Sequence, residues 1–133
     1  MERVSYERCC CGLAIPLMYD YLYGISKKSG EEDSPLHNKI KMPLEQLMNL
    51  LETSPKDESI NKRVDELDRA IFAAGLGKED KVGMKAVELF TSLYGAETGN
   101  LALKILPYGG IYLLSSVTIA LKDYIIKEQV FMV

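Results

Sequence analysis

Three consecutive cysteines near the start of the chain are the first residues whose side chains could do chemistry. Thiols bind metal ions and take part in redox reactions, and Cys9, Cys10 and Cys11 stand side by side. On a helix, consecutive side chains point about 100° apart, so three adjacent thiols do not converge on one tetrahedral ion. We therefore expect small packing residues here and predict no metal site.

The single histidine and a pair of glycines are the next candidates. His37 stands among prolines and lysines without a nucleophile and an acidic partner in view, so we expect a surface position rather than a catalytic one. Gly109 and Gly110 resemble a phosphate-binding turn, but such a turn follows a strand, whereas these glycines precede a strand-like run. We interpret them as the reversal between a helix and a strand.

The composition indicates one ordinary globular domain. The chain has 133 residues, of which 47% are hydrophobic and 26% charged. The net charge of -3 argues against a nucleic-acid partner, which would need a basic face. The longest apolar run, within residues 111–121, falls far short of the roughly 20 residues that span a membrane, so we expect no membrane partner. An odd, consecutive set of cysteines does not suit a disulfide framework and favours a reducing, cytoplasmic setting.

The elements that would position these side chains are mostly helices. Apolar residues at helical spacing predict helices over residues 13–25, 43–51, 59–74 and 81–106, and a final helix over about 117–127. Residues 26–41 are polar and predict a surface linker. Asp80 is the expected N-cap of the long helix. Within that helix Gly95 and Gly99, one turn apart, predict the close approach of another backbone.

One strand is predicted, at Ile111–Leu114, which makes residues 81–127 a helix–strand–helix unit. A lone buried strand would leave its backbone groups unpaired on both edges, at a cost in free energy. Residues 2–6 or 129–133 could pair with it, or its partner strands lie outside this sequence, and we favour the last alternative. The predicted fold class is therefore α/β, dominated by helices.

A longer stretch of sequence carries a resemblance to a known family. Residues 87–114 contain Phe-Thr-Ser-Leu-Tyr-Gly-Ala, then Gly-Asn-Leu-Ala-Leu and, after a proline, Gly-Gly-Ile-Tyr-Leu. This order resembles the bacterial-type glucokinase family, which is also found in protists. A second match is Ser5-Tyr6-Glu7-Arg8 followed by Gly12, which is similar to the family's Ser-x-Glu-Arg-x-x-Ser-Gly segment. A third, residues 69–89, resembles the helix-turn-helix between those two motifs.

The resemblance implies an actin-like, ribonuclease-H-like ATPase fold. Residues 1–133 would then form part of its large domain, from the middle-to-late portion of a considerably longer protein. It implies phosphoryl transfer from ATP to the 6-hydroxyl of glucose, with ATP and Mg as cofactors. Three family motifs do not occur in this sequence: the Asp-x-Gly-Gly-Thr phosphate loop, the Asn-Asp pair with the general base, and the sugar-binding Glu-Gly-Gly-His segment.

Two candidate sites follow from the resemblance. Glu7 matches the family glutamate that binds the sugar, and an ionised carboxylate suits two neighbouring hydroxyl donors. The alternative for Glu7 is a solvated glutamate on a short helix. Ser115 and Ser116 stand where the family has glycines close to the nucleotide, so they are the expected cofactor-binding residues. A serine there adds a Cβ where a glycine backbone could be required.

The expected function is therefore that of a glucokinase-family polypeptide that is inactive alone. Its expected partners are glucose and ATP, together with either a second copy of this chain or the missing amino-terminal half of the family's fold. The alternative is a non-catalytic helical interaction module, in which the apolar faces and the unpaired strand form an interface with another subunit.

Overall fold

The structure is a computed structural model that describes residues 7–30 and 34–129, with the side chains of residues 7 and 8 outside the description. The described residues form six helices: α1 (Glu7–Cys10), α2 (Ala14–Lys28), α3 (Pro35–Thr53), α4 (Ser59–Leu76), α5 (Lys81–Ile105) and α6 (Ser116–Glu128). The helices predicted over residues 59–74, 81–106 and 117–127 are confirmed to within two residues. The helix predicted over residues 13–25 is also present and runs three residues further.

The hydrophobic core lies around α5, which packs against α1, α2 and α4, while α3 packs against α4. Each of these helices buries one stripe of apolar side chains, as expected for amphipathic helices of a globular domain. Helix α6 contributes a single core side chain, and no helix in the described ranges is both long and apolar enough to cross a membrane. The largest fully buried apolar side chains are Ile15, Tyr19, Leu47, Leu67, Ile71, Val87, Phe90 and Leu121.

Two long helices begin at side-chain caps that touch each other. Ser34 caps α3, because its Oγ accepts a hydrogen bond from the His37 amide at 3.0 Å. Asp80 caps α5, as predicted, because its Oδ1 accepts from the Gly83 amide at 2.8 Å. The Ser34 hydroxyl also donates to Asp80 Oδ2, so the starts of α3 and α5 are joined in the interior.

A close helix crossing lies between α4 and α5. A Cβ added at Gly75 would come within 2.7 Å of the Gly83 carbonyl oxygen, so this crossing requires a glycine on α4. The sequence instead predicted a close approach at Gly95 and Gly99. Both of those glycines are buried on α5, and their proposed role stays a prediction.

The prediction of a polar linker over residues 26–41 is wrong for most of these residues. Helix α2 continues to Lys28 and α3 starts at Pro35, so α3 is already helical where a linker was expected. Pro35 starts α3 because a proline suits the first helical position, where its missing N–H has no partner to lose. Pro43 lies inside α3 rather than at the start of a short helix.

The strand predicted at Ile111–Leu114 is absent, and no strand occurs in residues 7–30 or 34–129. The polypeptide reverses at a turn in which the Gly110 amide donates to the Pro107 carbonyl at 2.9 Å, with Gly110 at a positive φ of 98°. Residues 111–115 then run without regular structure to the start of α6. A strand requires a neighbouring strand, and the described residues provide none. The α/β class is therefore not confirmed, and the observed architecture is helical.

Candidate functional site

A cavity of about 610 Å³ lies between the turn before α2, one face of α4 and the start of α6. It brings together regions that are distant in sequence, because Gly12 follows the Glu-Arg segment of α1 and Ser116 follows the irregular segment after α5. The residues that line it are Gly12, Asp65, Asp68, Arg69, Phe72, Ser116, Val117 and Ala120. The cavity thus offers two carboxyl groups, one guanidinium group and a helix amino terminus beside apolar walls.

Asp68 is the most perturbed group in this cavity. Its Oδ2 lies 3.1 Å from the position that a Cβ at Gly12 would occupy, so α4 and the turn are in close contact there. Its Oδ1 is buried and has no hydrogen-bond partner among the described residues. Burial, with a smaller contribution from the charge of Asp65, raises the pKa of Asp68 to about 7. Near neutral pH this carboxyl group can therefore either donate or accept a hydrogen bond.

The two predicted cofactor-binding residues lie at the amino terminus of α6. Ser115 caps the helix, because its Oγ accepts from the Val117 amide at 3.0 Å. Its backbone is extended, with φ -165° and ψ 148°, a conformation that any residue adopts. Ser116 is the first helical residue and lines the cavity. Serines at these two positions therefore cause no backbone strain, and the partial positive charge of the helix terminus remains available to an anion.

The predicted sugar-binding residue is only partly described. Glu7 is the first residue of α1, which packs against α2 and α5. Its side chain lies outside the described residues, so its role stays a prediction. The turn that carries Gly12 begins directly after α1, and there the Ala14 amide donates to the Cys11 carbonyl at 2.9 Å. The backbone therefore leads from the Glu7 helix to the cavity within one turn.

The cysteines and the histidine lie in different surroundings from those expected of reactive groups. Cys10 is half-buried, and burial followed by the neighbouring Cys9 raises the pKa of its thiol, which makes the thiolate scarcer at neutral pH. His37 is half-buried rather than on the surface, and its ring stacks on Tyr23 with 3.6 Å between centroids. Burial lowers the pKa of His37, so the stacked ring is neutral at physiological pH.

A buried polar network joins the starts of α3 and α5, and the sequence analysis predicted only its Asp80 cap. The hydroxyl groups of Tyr19 and Ser34 form a hydrogen bond at 2.8 Å, and Ser34 contacts Asp80. The Leu36 amide donates to the same Asp80 carboxylate at 3.3 Å. Tyr19 is fully buried, and that burial is the main reason why its pKa is raised. The Ser34-Pro35 pair was the available signal, because serine followed by proline is typical of a helix start.

Comparison with known proteins identifies the family to which this chain belongs. The family model for glucokinase matches residues 1–132, and the chain belongs to the glucokinase family. Among curated relatives, the chain is 33% identical over 117 residues to the glucokinase of Nostoc punctiforme and 32% identical over 117 residues to that of Synechocystis sp.. These alignments cover 88% of this chain but only 30% and 29% of the two relatives. The chain thus spans about 30% of the length of the curated relatives it matches, and no solved structure matches it significantly.

Proposed function

We propose that this chain supplies one part of a glucokinase active site, in which the γ-phosphoryl group of ATP passes to the 6-hydroxyl of glucose. Membership of the glucokinase family supports the reaction class. The observation that carries the proposal for these residues is the cavity in which Gly12 and Ser116 meet. It joins the segment with the proposed sugar-binding residue to the segment with the proposed nucleotide-binding residues.

On the sugar side, Glu7 is the proposed acceptor for two hydroxyl groups of glucose. A carboxylate accepts two parallel O–H donors and fixes the orientation of the ring, which is the positioning that phosphoryl transfer requires. The turn from Cys11 to Ala14 follows α1, the helix that carries Glu7, and α1 packs against α2. In this proposal Glu7 binds and orients the sugar and does not remove its proton.

On the nucleotide side, the amino terminus of α6 is the proposed contact for ATP. The extended backbone at Ser115 and the helical backbone at Ser116 leave the first-turn amides next to the cavity. Such amides stabilise phosphate oxygens without the need for a glycine at these positions. Mg²⁺ bound to the ATP phosphates would neutralise part of their charge. In residues 7–30 and 34–129 no cluster of metal-ligating side chains exists, so we assign the ion no protein ligand here.

The general base is not among the proposed roles of these residues, because the Asn-Asp pair does not occur in this sequence. The proton of the glucose hydroxyl must pass to a carboxylate elsewhere as the bond from oxygen to the γ-phosphorus forms and ADP leaves. We therefore expect the 133-residue polypeptide alone to show no measurable turnover. Formation of glucose 6-phosphate by the purified chain, abolished in Glu7→Gln, would contradict this expectation.

The nucleotide contact is tested by titration of the chain with Mg-ATP. Ser116→Asp places a negative charge at the start of α6 while Ser115 keeps the helix cap, and we expect binding to weaken by about tenfold or more. Ser29→Asp is the matched control, because Ser29 is exposed and lies at the far end of α2 from Gly12. Equal affinities of the two variants, or no Mg-ATP binding by the parent chain, would count against the proposed contact.

A further inference from the structure

Asp68 has a buried oxygen atom that the described residues leave without a partner. This atom is Oδ1, and Asp68 lines the cavity of about 610 Å³ between α4 and the start of α6. Buried polar atoms of folded proteins normally have a hydrogen-bond partner, so an unpartnered one beside a cavity points to a ligand. The cavity volume also lies within the range of about 300–1,000 Å³ that is typical of small-molecule sites.

The walls on either side of Asp68 suit a flat aromatic ring. Phe72 of α4 and Val117 and Ala120 of α6 line the same cavity. Phe72 is buried, and its ring packs edge-on against Phe90 with 6.2 Å between centroids, which fixes its position. Apolar walls beside a single polar group match a purine base, which has two flat apolar faces and a polar edge.

The carboxyl group of Asp68 can be uncharged near neutral pH. Burial, with a smaller contribution from the charge of Asp65, raises its pKa to about 7. The other charged side chains of the cavity lining are Asp65 and Arg69, both exposed on α4, and the described residues of the Gly12 turn and of α6 add none. An uncharged carboxyl group has one O–H donor and one carbonyl acceptor, the pair that the amide of asparagine also presents.

We propose that Asp68 determines which nucleotide base is bound, because its uncharged carboxyl group accepts a hydrogen bond from the 6-amino group of adenine and donates one to a neighbouring ring nitrogen. This inference rests on the proposed function, since it concerns the nucleotide proposed to bind at the start of α6. Asparagine and glutamine recognise adenine through the same pair of donor and acceptor. The ionised carboxylate has no proton to donate, so only the uncharged form makes both hydrogen bonds.

Glucose is a weaker candidate for the space beside Asp68. Its hydroxyl groups surround the whole ring, and those that faced Phe72 and Val117 would lose water without gaining a partner, which is costly. A purine base has no polar group on its two faces. The apolar walls therefore favour the base over the sugar.

The test measures the affinity of the 133-residue chain for Mg-ATP and for the magnesium complex of purine riboside triphosphate, which lacks the 6-amino group. At pH 6 we expect Mg-ATP to bind about tenfold more tightly than the analogue, because the site loses a partner for its carboxyl group when the amino group is absent. The affinity for Mg-ATP should fall by about tenfold from pH 6 to pH 8. The uncharged fraction of a group with a pKa of about 7 falls by that factor over this range.

Two substitutions at Asp68 separate base recognition from a purely structural role. Asp68→Asn keeps a donor and an acceptor at every pH, so it should retain the preference for Mg-ATP and lose the dependence of that affinity on pH. Asp68→Leu should bind the two nucleotides equally. Glu66→Leu is the matched control, because Glu66 is an exposed carboxylate of α4 outside the cavity lining, and it should behave like the parent. A purely structural role of Asp68 would leave the ratio of the two affinities unchanged in every variant.

Three results would overturn the inference: equal affinities of the parent chain for the two nucleotides, a preference that survives in Asp68→Leu, or a pH dependence that persists in Asp68→Asn. The proposed function fails separately. Adenosine and purine riboside have no phosphates, so a preference for adenosine that depends on Asp68 would support the base contact even if Ser116→Asp left Mg-ATP binding unchanged. Weaker Mg-ATP binding in Ser116→Asp without any preference between the bases would keep the phosphate contact and remove the role of Asp68.

Discussion

Two regions of the chain differ in whether their polar groups are paired. The first region is the joined starts of α3 and α5, and the second is the segment between α5 and α6. Around Asp80, three donors converge on one buried carboxylate, and the hydroxyl of Tyr19 completes the network. In residues 111–114 the backbone groups have no partner among the described residues, and the side chains of Tyr112 and Leu114 are exposed. The polar groups of the first region are paired within the described residues, whereas the backbone of the second has no partner among them. The stability of the chain should therefore depend more on the first region than on the second.

Removal of the buried carboxylate of Asp80 is expected to have the largest effect on the free energy of unfolding. Asp80→Ala would remove the cap of α5 and leave the Ser34 hydroxyl and the Leu36 amide without their acceptor. Buried donors without partners are costly, so we expect a loss of about 3 kcal/mol in the free energy of unfolding, measured by urea denaturation. Asp123→Ala on the exposed side of α6 is the control, and a change of less than about 0.5 kcal/mol is expected there. Similar losses for both variants would remove the contrast between the two regions.

A pair of glycine substitutions tests how tightly the first region is packed. Gly75→Ala would place a methyl group 2.7 Å from the Gly83 carbonyl oxygen, so α4 and α5 would have to separate, at a cost of about 2 kcal/mol. Gly24→Ala is the same change inside α2, where an added Cβ would meet no atom within 4 Å among the described residues outside its own helix backbone, and it should stabilise the chain by about 0.5–1 kcal/mol. The two changes are thus expected to differ in sign, and thermal unfolding would show it. Equal signs would contradict the close crossing.

Asp68 belongs to neither region, and its titration is expected to make stability depend on pH. Its pKa is raised from 3.8 to about 7 in the folded chain. The folded state therefore holds the proton more tightly, so the favourable contribution is present below about pH 4 and is lost as the pH rises through 7. Asp68→Asn should gain about 1–2 kcal/mol relative to the parent between pH 5 and pH 8. A stability difference that is the same at both pH values would show that the carboxyl group is not buried against the Gly12 turn.

A helix could be predicted where apolar residues at helical spacing follow one another without a polar or charged stretch that resembles a linker. Ile60, Val64, Leu67 and Ile71 were placed on one face of a helix, and all four are buried. The same signal extends back through Leu36 and Ile40, but polar and charged neighbours made that stretch resemble a linker, and only packing against α4 identifies it as helix. A short apolar run such as residues 111–114 cannot form a strand by itself, because its hydrogen bonds depend on a partner that local sequence does not specify.

The candidate site was predictable only in part. The family resemblance placed Ser116 at a functional position, and the structure places it in the cavity. Asp68 was missed because it follows the exposed acids Asp65 and Glu66 on α4, a pattern typical of a solvated helix face. Its burial comes from contact with Gly12, a residue far away in the chain, so no periodicity of α4 could have revealed it.

The smallest expected effect comes from the removal of one hydroxyl oxygen from each of the two regions. Tyr19→Phe removes a buried hydroxyl that forms a hydrogen bond with Ser34 at 2.8 Å, and a loss of about 1 kcal/mol is expected. Tyr112→Phe removes a hydroxyl from a ring that is 83% exposed, so the free energy of unfolding of the chain alone should stay within about 0.5 kcal/mol of the parent. Parallel urea denaturation of the two variants measures both values. A larger loss in Tyr112→Phe than in Tyr19→Phe would mean that residues 111–114 are packed in the isolated chain, and the contrast between the two regions would then not hold.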